Sequence, residues 1–324
     1  MCSMKISVIA IFYNSEKYVR KCMDSILAQR DVSIEIITVD DCSTDATLEI
    51  LKEYALRHPN IVIVNHEFNQ GISAARNSGL SEITGDCFFL IDGDDYLPSS
   101  DALRSLSEKY ENDVDWVQGS YVKCNERDDE IGKMEFKDNC LCGYNAICDS
   151  FDSFNFIYTH NKLINAKYKS NKFNTGCYHE DRMWNVSVFN GLRKIVSVST
   201  PTYSYVVRSG QTSNKSRSKR LYIESGMSLM RMMVNCPVCW KVLRDTFQVV
   251  DIEKPLYLWE PDDEYRRRIL NELRMLNTME ISTVGFPRFT RIIHWMIKKS
   301  VPDFFINVIS KSYVRTMTCI DRSI

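Results

Sequence analysis

Three carboxylates stand within four positions at Asp92-Gly93-Asp94-Asp95, directly after the apolar run Phe88-Phe89-Leu90-Ile91. Carboxylates this close repel one another unless a cation sits among them. Hard oxygen donors on a turn suit Mg2+ or Mn2+, which proteins hold through one or two carboxylates completed by substrate phosphates. An exposed acidic turn has the same composition, so the reading depends on what accompanies the stretch. A second cluster, Asp40-Asp41-Cys42-Ser43-Thr44-Asp45, follows another apolar run. A third pair, Glu180-Asp181, lies 87 residues beyond Asp94. It opens an amphipathic segment through Met183, Trp184, Val186, Val188 and Phe189. Acids at a helix start also have a plain structural use, because they complement the helix dipole.

The elements that must carry these acids are legible over residues 5–100. Ile6–Phe12, Ile34–Val39, Ile61–Val64 and the run ending at Asp92 read as buried strands. Between them the spacing predicts helices: one through Tyr18, Cys22, Ile26 and Leu27, one over Ala46–Arg57 capped by Ser43 or Thr44, and one over Ser73–Ile83. Strand–helix alternation with short links predicts a doubly wound, mostly parallel sheet. Right-handed crossovers bring its strand ends to one edge, where such folds bind ligands. Neither a G-x-G-x-x-G nor a G-x-x-x-x-G-K-[ST] loop follows the first strand. Acid at two strand ends without a glycine-rich cradle points to a nucleotide whose diphosphate is neutralised by metal rather than by backbone amides.

Beyond residue 100 the pattern loosens. A helix is expected near Ala102–Tyr110 and a strand over Val114–Val122; Asn125–Asn139 reads as a loop or hairpin, and Lys167–Lys172 as exposed. Ile195–Val207 reads as a strand. Residues 216–324 read as mainly helical. Their last part, 286–324, has seven basic residues (Arg288, Arg291, Lys298, Lys299, Lys311, Arg315, Arg322) against Asp303 and Asp321. A basic amphipathic stretch of this kind can lie on an anionic membrane surface, although apolar helix faces usually pack on a core. The formal net charge of −1 offers no global electrostatic case for nucleic acid. No run of about 18 apolar residues implies a membrane span, and Met1–Lys5 leads into strand-like sequence rather than a secretory leader. A cytoplasmic location, extending to the inner face of the membrane, is the expectation. The twelve cysteines are expected to be reduced. Cys236-Pro237-Val238-Cys239 lacks the second pair that a zinc site needs.

Taken in order, five stretches resemble the family-2 glycosyltransferases. They are Ser7–Asn14, Val39–Asp45, Asn69–Gly79, Leu90–Asp95 with Pro98, and His179-Glu180-Asp181, and they cover about residues 5–210. The resemblance implies an α/β fold of the GT-A type: a mostly parallel nucleotide-binding sheet flanked by helices, followed by a mainly helical C-terminal extension. Residues 1–100 would form the nucleotide-sugar half, 101–215 the acceptor half and 216–324 the extension. It also implies an inverting, non-processive transfer from a nucleotide-diphosphate sugar, with a UDP-sugar as the expected donor, to a glycan or lipid-linked acceptor, with Mn2+ or Mg2+ as cofactor. On this chain the resemblance puts the backbone near Ala10 and Phe12 under the base, with Asn14 beside it. Asp40 or Asp41 would hydrogen-bond base or ribose, and Arg76 would lie near the nucleotide. Asp92-Gly93-Asp94 matches the D-x-D motif, with Asp92 toward the donor and Asp94 on the metal, Asp92 also being counted among the metal residues. Glu180-Asp181 would hold the general base, with Asp181 fitting best. Tyr203-Ser204-Tyr205…Arg208…Thr212-Ser213 resembles a segment that closes the site in polysaccharide-building members, with Arg208 near the diphosphate.

The chemistry is coherent in its own right. Displacement at an anomeric carbon needs the departing diphosphate neutralised and a separate carboxylate to take the acceptor's proton. The chain departs from the family at Ile11, where many members have Pro, and at Cys42, where many have Gly; a positive φ at Cys42 would be strained. Two other readings stay open on sequence: a sugar-1-phosphate nucleotidyltransferase, which would want a glycine-rich loop where Tyr13-Asn14-Ser15-Glu16 stands, and a non-catalytic sugar-nucleotide-binding protein.

Overall fold

Lys5–Phe12 has no charge after its first residue, and it forms the central strand, β1, buried from Ile6 onward. A strand buried on both faces must be covered by helices on both, and the chain supplies them in alternation. Helix α1 (Val19–Leu27), strand β2 (Ser33–Asp40), helix α2 (Thr47–Arg57), strand β3 (Ile61–Asn65), helix α3 (Ile72–Ser81) and strand β4 (Cys87–Asp92) follow in order. The computed structural model describes residues 4–143, 158–189 and 191–208, with 225, 227 and 228 beyond them. The chain divides into two units, 1–176 with 180–215 and 177–179 with 216–324; all elements named here belong to the first. Apart from 225, 227 and 228, the expected helical extension lies outside the described residues, as do Cys236 and Cys239, the basic stretch from Arg288 and the pair Thr212-Ser213.

β1 pairs in parallel with both β2 and β4, and β2 with β3. Ile6, Val8, Ala10 and Phe12 pack with Val19, Cys22, Met23 and Ile26 of α1 and with Ile50, Leu51 and Tyr54 of α2. The opposite face takes α3, so closely that a methyl at Gly79 would stand 2.3 Å from Ile9 Cγ2. The N-terminal half is thus doubly wound and parallel, as the alternation predicts.

The second half departs from that pattern. After helix α4 (Ala102–Ser107) come β5 (Trp116–Asn125), β6 (Glu130–Met134), β7 (Asn139–Cys142), β8 (Lys162–Asn165), helix α5 (Glu180–Phe189) and β9 (Lys194–Val207). The strand order is β3-β2-β1-β4-β8-β5-β9-β7, with β6 paired to β5. β8 runs antiparallel to both β4 and β5, whereas β5 and β9 are parallel. Among the described residues one nine-stranded mixed sheet therefore continues from the parallel first half into the second. The charged stretch after Asn125 closes as the β5–β6 hairpin. Lys167–Lys172 is exposed at its lysines, but Tyr168 among them is buried and donates 2.8 Å to Asp115.

The expected cap of α2 is corrected. Neither Ser43 nor Thr44 caps it; the Thr47 amide donates instead to Asp45 Oδ1 at 3.0 Å. Ser43 and Thr44 are engaged elsewhere, bonding Asn14 across the gap between strand ends. Among the described residues Cys22, Cys42, Cys87, Cys124, Cys140 and Cys142 are free thiols. Among the described residues no helix is long and apolar enough to cross a membrane.

Candidate active site

The carboxyl ends of β1, β2 and β4 meet at one sheet edge, which puts Asn14, Asp40-Asp41 and Asp92 together. Phe12 pairs with Asp40, and Ile11 with Asp92. Ala10 and Phe12 are fully buried beneath this edge. The two adjacent acids after β2 have different surroundings. Asp41 is saturated: His66 Nδ1 lies 2.6 Å from Oδ1, the Gln70 amide donates to Oδ1, and the Gly71 amide donates to Oδ2, both at 2.8 Å. Gly71 has a φ of +85°, which lets the chain turn both amides onto the acid. Asp40 accepts the Ser43 amide at Oδ2 (3.0 Å), while its buried Oδ1 has no hydrogen-bond partner among the described residues. A buried carboxylate oxygen without a donor is costly in a folded protein and calls for one from a ligand or water.

Cys42 follows with φ +61°, the left-handed region anticipated as strained for a side chain. Its Sγ lies 3.5 Å from the Glu67 carbonyl, a weak contact in partial return. Cys42→Gly is expected to raise stability by about 0.5–1 kcal/mol, because only the side chain makes this conformation expensive. Thermal melting checks it: the midpoint should rise by roughly 1–4 °C for a domain of this size.

The D-x-D turn is built around close backbone approach. A methyl on Gly93 would stand 2.3 Å from Phe12 Cδ1 and 2.6 Å from the Ile11 carbonyl, so only glycine fits between the two acids. Asp95, the third acid of the stretch, ties the turn to β9. It accepts Tyr203 Oη at 2.6 Å and the Val206 amide at 2.8 Å. Burial, then the charges of Asp94 and Asp92, push its carboxyl well above the ordinary range. Asp94 is also pushed up, by burial and by Asp92, and its Oδ2 is held by Arg208 Nε and Nη2, each at 2.6 Å.

Arg76 of α3 gathers the rest. Its side chain is only 2 % exposed, and its guanidinium reaches Asp181 at 2.6 Å, Glu180 at 3.2 Å and Asp92 at 3.3 Å. One cation thus faces three carboxylates drawn from β4 and the start of α5. Burial, then Asp181, push Glu180 upward, against the pull of Arg76. Asp181 Oδ1 also accepts the Thr159 hydroxyl at 2.6 Å.

Residues 158–162 are the part of the site that motif spacing does not single out. His160 stacks between Tyr158 and Tyr203, with centroids 4.9 and 4.5 Å away. Burial pulls its imidazole down to about 4, so it is neutral near pH 7, and its buried Nδ1 has no partner among the described residues. The segment reaches the site because β8 runs against β4: Phe89 pairs with Leu163, so the residues before β8 run alongside the end of β4. A polar, aromatic run ahead of a short apolar strand is the only sequence signal for it, and it means nothing until the pairing is known.

The donor set suits a divalent cation. Asp92 and Asp94 offer hard oxygens, and burial and the Asp92 charge drive the Asp94 carboxyl upward. Among the described residues no group of three His, Cys, Asp or Glu is placed to hold a metal unaided.

Comparison with known proteins bears on the whole arrangement. The family model for glycosyl transferase family 2 matches residues 7–179. The chain is 34% identical over 220 residues to glycosyltransferase GlyA of Streptococcus pneumoniae, covering 64% of this chain and 31% of that protein. It is 32% identical over 213 residues to a poly(ribitol-phosphate) beta-glucosyltransferase of Bacillus spizizenii, covering 63% and 32%. The chain thus spans about a third of the length of these curated relatives. Among solved structures, S. aureus TarS 1–349 in complex with UDP-GlcNAc superposes with a TM-score of 0.75 at 18% identity, over 97% of this chain and 92% of that one. That likeness is one of fold, of the GT-A type.

Proposed function

The chain belongs to glycosyl transferase family 2 and is a glycosyltransferase; from that premise we propose that it transfers a sugar from a UDP-sugar to an acceptor hydroxyl with inversion, in the synthesis of a bacterial surface polymer. The observation that carries the reading is the convergence on Arg76 of a D-x-D acid, Asp92, and the acid pair Glu180-Asp181, together with a strand end where Asp40 Oδ1 lacks a donor among the described residues. The N–H of a uracil base would supply that donor. Asp41, already holding three donors, shapes the loop over Gln70-Gly71 instead. The choice of polymer rests on the kinds of relatives matched, one of them named for a ribitol-phosphate polymer.

In this reading the donor lies along the edge from Asp40 to Asp92, with Ala10, Phe12 and Asn14 lining the base side. Asp181 takes the proton of the acceptor hydroxyl as the hydroxyl attacks the anomeric carbon, and the bond to the diphosphate breaks on the opposite face. Thr159 and Arg76 occupy Oδ1 of Asp181, which leaves Oδ2 to face the acceptor. Arg208, now on Asp94, would turn to a bound diphosphate. Mn2+ or Mg2+ would be held by Asp94 with Asp92 and would supply Lewis-acid neutralisation of the leaving group.

Thermal shift with a panel of nucleotide sugars tests this. A ligand that binds only the folded state at about 100 times its Kd adds roughly 2.7 kcal/mol. A UDP-sugar with Mn2+ should raise the melting temperature more than a GDP-sugar does, and Asp94→Asn should lose the Mn2+-dependent part together with turnover. Full Mn2+-dependent turnover in Asp94→Asn would remove the metal assignment. A stabilisation by GDP-sugars alone would remove the uracil reading of Asp40.

A further inference from the structure

His66 directly follows β3, and three elements meet on it. Its backbone N–H donates to the Asp40 carbonyl at 3.0 Å, which extends the pairing of β3 with β2 by one bond. Its ring reaches the next acid, with Nδ1 2.6 Å from Asp41 Oδ1. On the far side of the ring, Nε2 lies 2.9 Å from the Ser78 hydroxyl of α3, the helix that also carries Arg76. The pair is deeply buried, with side chains 6% (His66) and 3% (Asp41) exposed. A carboxylate only accepts, so Nδ1 carries the proton of that bond.

The ring does something that the other donors on Asp41 do not. The Gln70 and Gly71 amides and Asn69 Nδ2, which reaches the Asp41 carbonyl at 3.1 Å, all come from one loop. Those bonds tie the acid to the loop. The imidazole ties acid and loop together to α3. Asp40 and Asp41 are consecutive, so one residue holds both members of the turn, the first through its backbone and the second through its ring. That turn presents Asp40 Oδ1, the buried oxygen without a hydrogen-bond partner among the described residues.

We propose that His66 is a positioning residue for recognition of the donor's base: its imidazole fixes Asp41, and through it the turn from which Asp40 Oδ1 meets the nucleotide. The inference rests on Asp40 as the base-binding acid. A ring that only fills the core would, on substitution, lower the melting temperature and leave nucleotide affinity per folded molecule unchanged. A ring that positions the turn works through Nδ1, and two substitutions separate its nitrogens. Asparagine and glutamine both carry an amide donor; the shorter side chain places it near Nδ1 and the longer one near Nε2. His66→Asn therefore keeps a donor for Asp41 and releases Ser78, whereas His66→Gln keeps the contact with Ser78 and releases Asp41.

The test is calorimetric titration of UDP with Mn2+ into the full chain, with melting temperature and kcat at saturating UDP-sugar measured alongside. His66→Asn is expected to bind UDP within about threefold of wild type. His66→Gln should lose at least about tenfold, the equivalent of one hydrogen bond to a charged group. At saturating donor, kcat should stay within about threefold in both, so that the effect falls on KM and not on kcat. UDP affinity kept in both variants, lost in both, or lost only in His66→Asn overturns the proposal. Should His66→Gln not fold, Asp41→Asn takes its place: its amide offers one acceptor atom where three donors arrive on two oxygens. The same loss is expected there, and wild-type affinity overturns the proposal. Wild-type protein that binds GDP but not UDP removes the reading of Asp40 itself, whereas wild type that binds UDP beside an unaffected His66→Gln removes only the role of His66.

Discussion

Asp181→Asn is expected to lower kcat by about 10²–10⁴-fold while leaving donor affinity within roughly threefold, since a positioned general base contributes about that much. The substitution is close to isosteric. The retained Oδ1 can still accept from Arg76 Nη1 and Thr159 Oγ1, so the local architecture has no reason to collapse. What the amide cannot do is take a proton from an acceptor hydroxyl. On the proposed reading the nucleotide would lie on other elements, by Asp40 at the end of β2, and donor binding would not depend on this carboxylate. Steady-state kinetics and calorimetric titration of the donor decide the matter. Turnover within about tenfold of wild type would mean that Asp181 is not the base, and Glu180, 3.2 Å from the same guanidinium, would be the next carboxylate to test.

Arg76→Leu is expected to be the most damaging single change to stability at this edge. Removing one member of a buried charge cluster costs about 3–5 kcal/mol, because its partners keep their charge without their counter-ion. Asp92, Glu180 and Asp181 retain 16–26% side-chain exposure, which lets water take part of that burden and puts the expectation near the lower figure, about 3 kcal/mol. The loss should depend on pH, and its sign follows from linkage. Burial and Asp181 already push the Glu180 carboxyl up in the folded protein and Arg76 pulls it down, so without the guanidinium it rises further above its unfolded value. The variant then binds more protons folded than unfolded, so its deficit is greatest at neutral and higher pH and shrinks as that carboxyl protonates on acidification. Denaturant unfolding of wild type and variant at pH 7.5 and near pH 4.5 measures this directly. A deficit equal at both values would show that Arg76 contributes through packing, for instance over the Phe173 ring 5.2 Å away, and not through charge.

The two outcomes together divide the site by job. On the proposed reading Asp181 would act in the reaction and hardly affect the fold, whereas Arg76 would hold the fold of the site and act on the reaction only through the groups it fixes. Gly93 and Gly71 belong with Arg76, one giving room for the turn beside Phe12 and the other aiming two amides at Asp41.

Much of this was legible in the sequence because it is encoded locally. The strands of the first half are short apolar runs ended by acids, and the helices between them repeat at helical spacing, so the parallel half and its carboxyl edge follow from chain order alone. The acids at that edge, Asp40, Asp41, Asp92 and Asp94, can be named for the same reason. Tertiary structure alone separated Asp40 from Asp41, because two adjacent acids look alike until His66, Gln70 and Gly71 fold back onto one of them and leave the other's oxygen bare. It alone brought Glu180 and Asp181 to Arg76, whose partners lie 104 and 105 residues away in the chain. It also decided that β8 runs against β4, which turns an ordinary-looking Tyr158–Lys162 segment into one wall of the site. Strand direction and long-range charge pairing depend on contacts between distant segments, and no local pattern of residue types contains them.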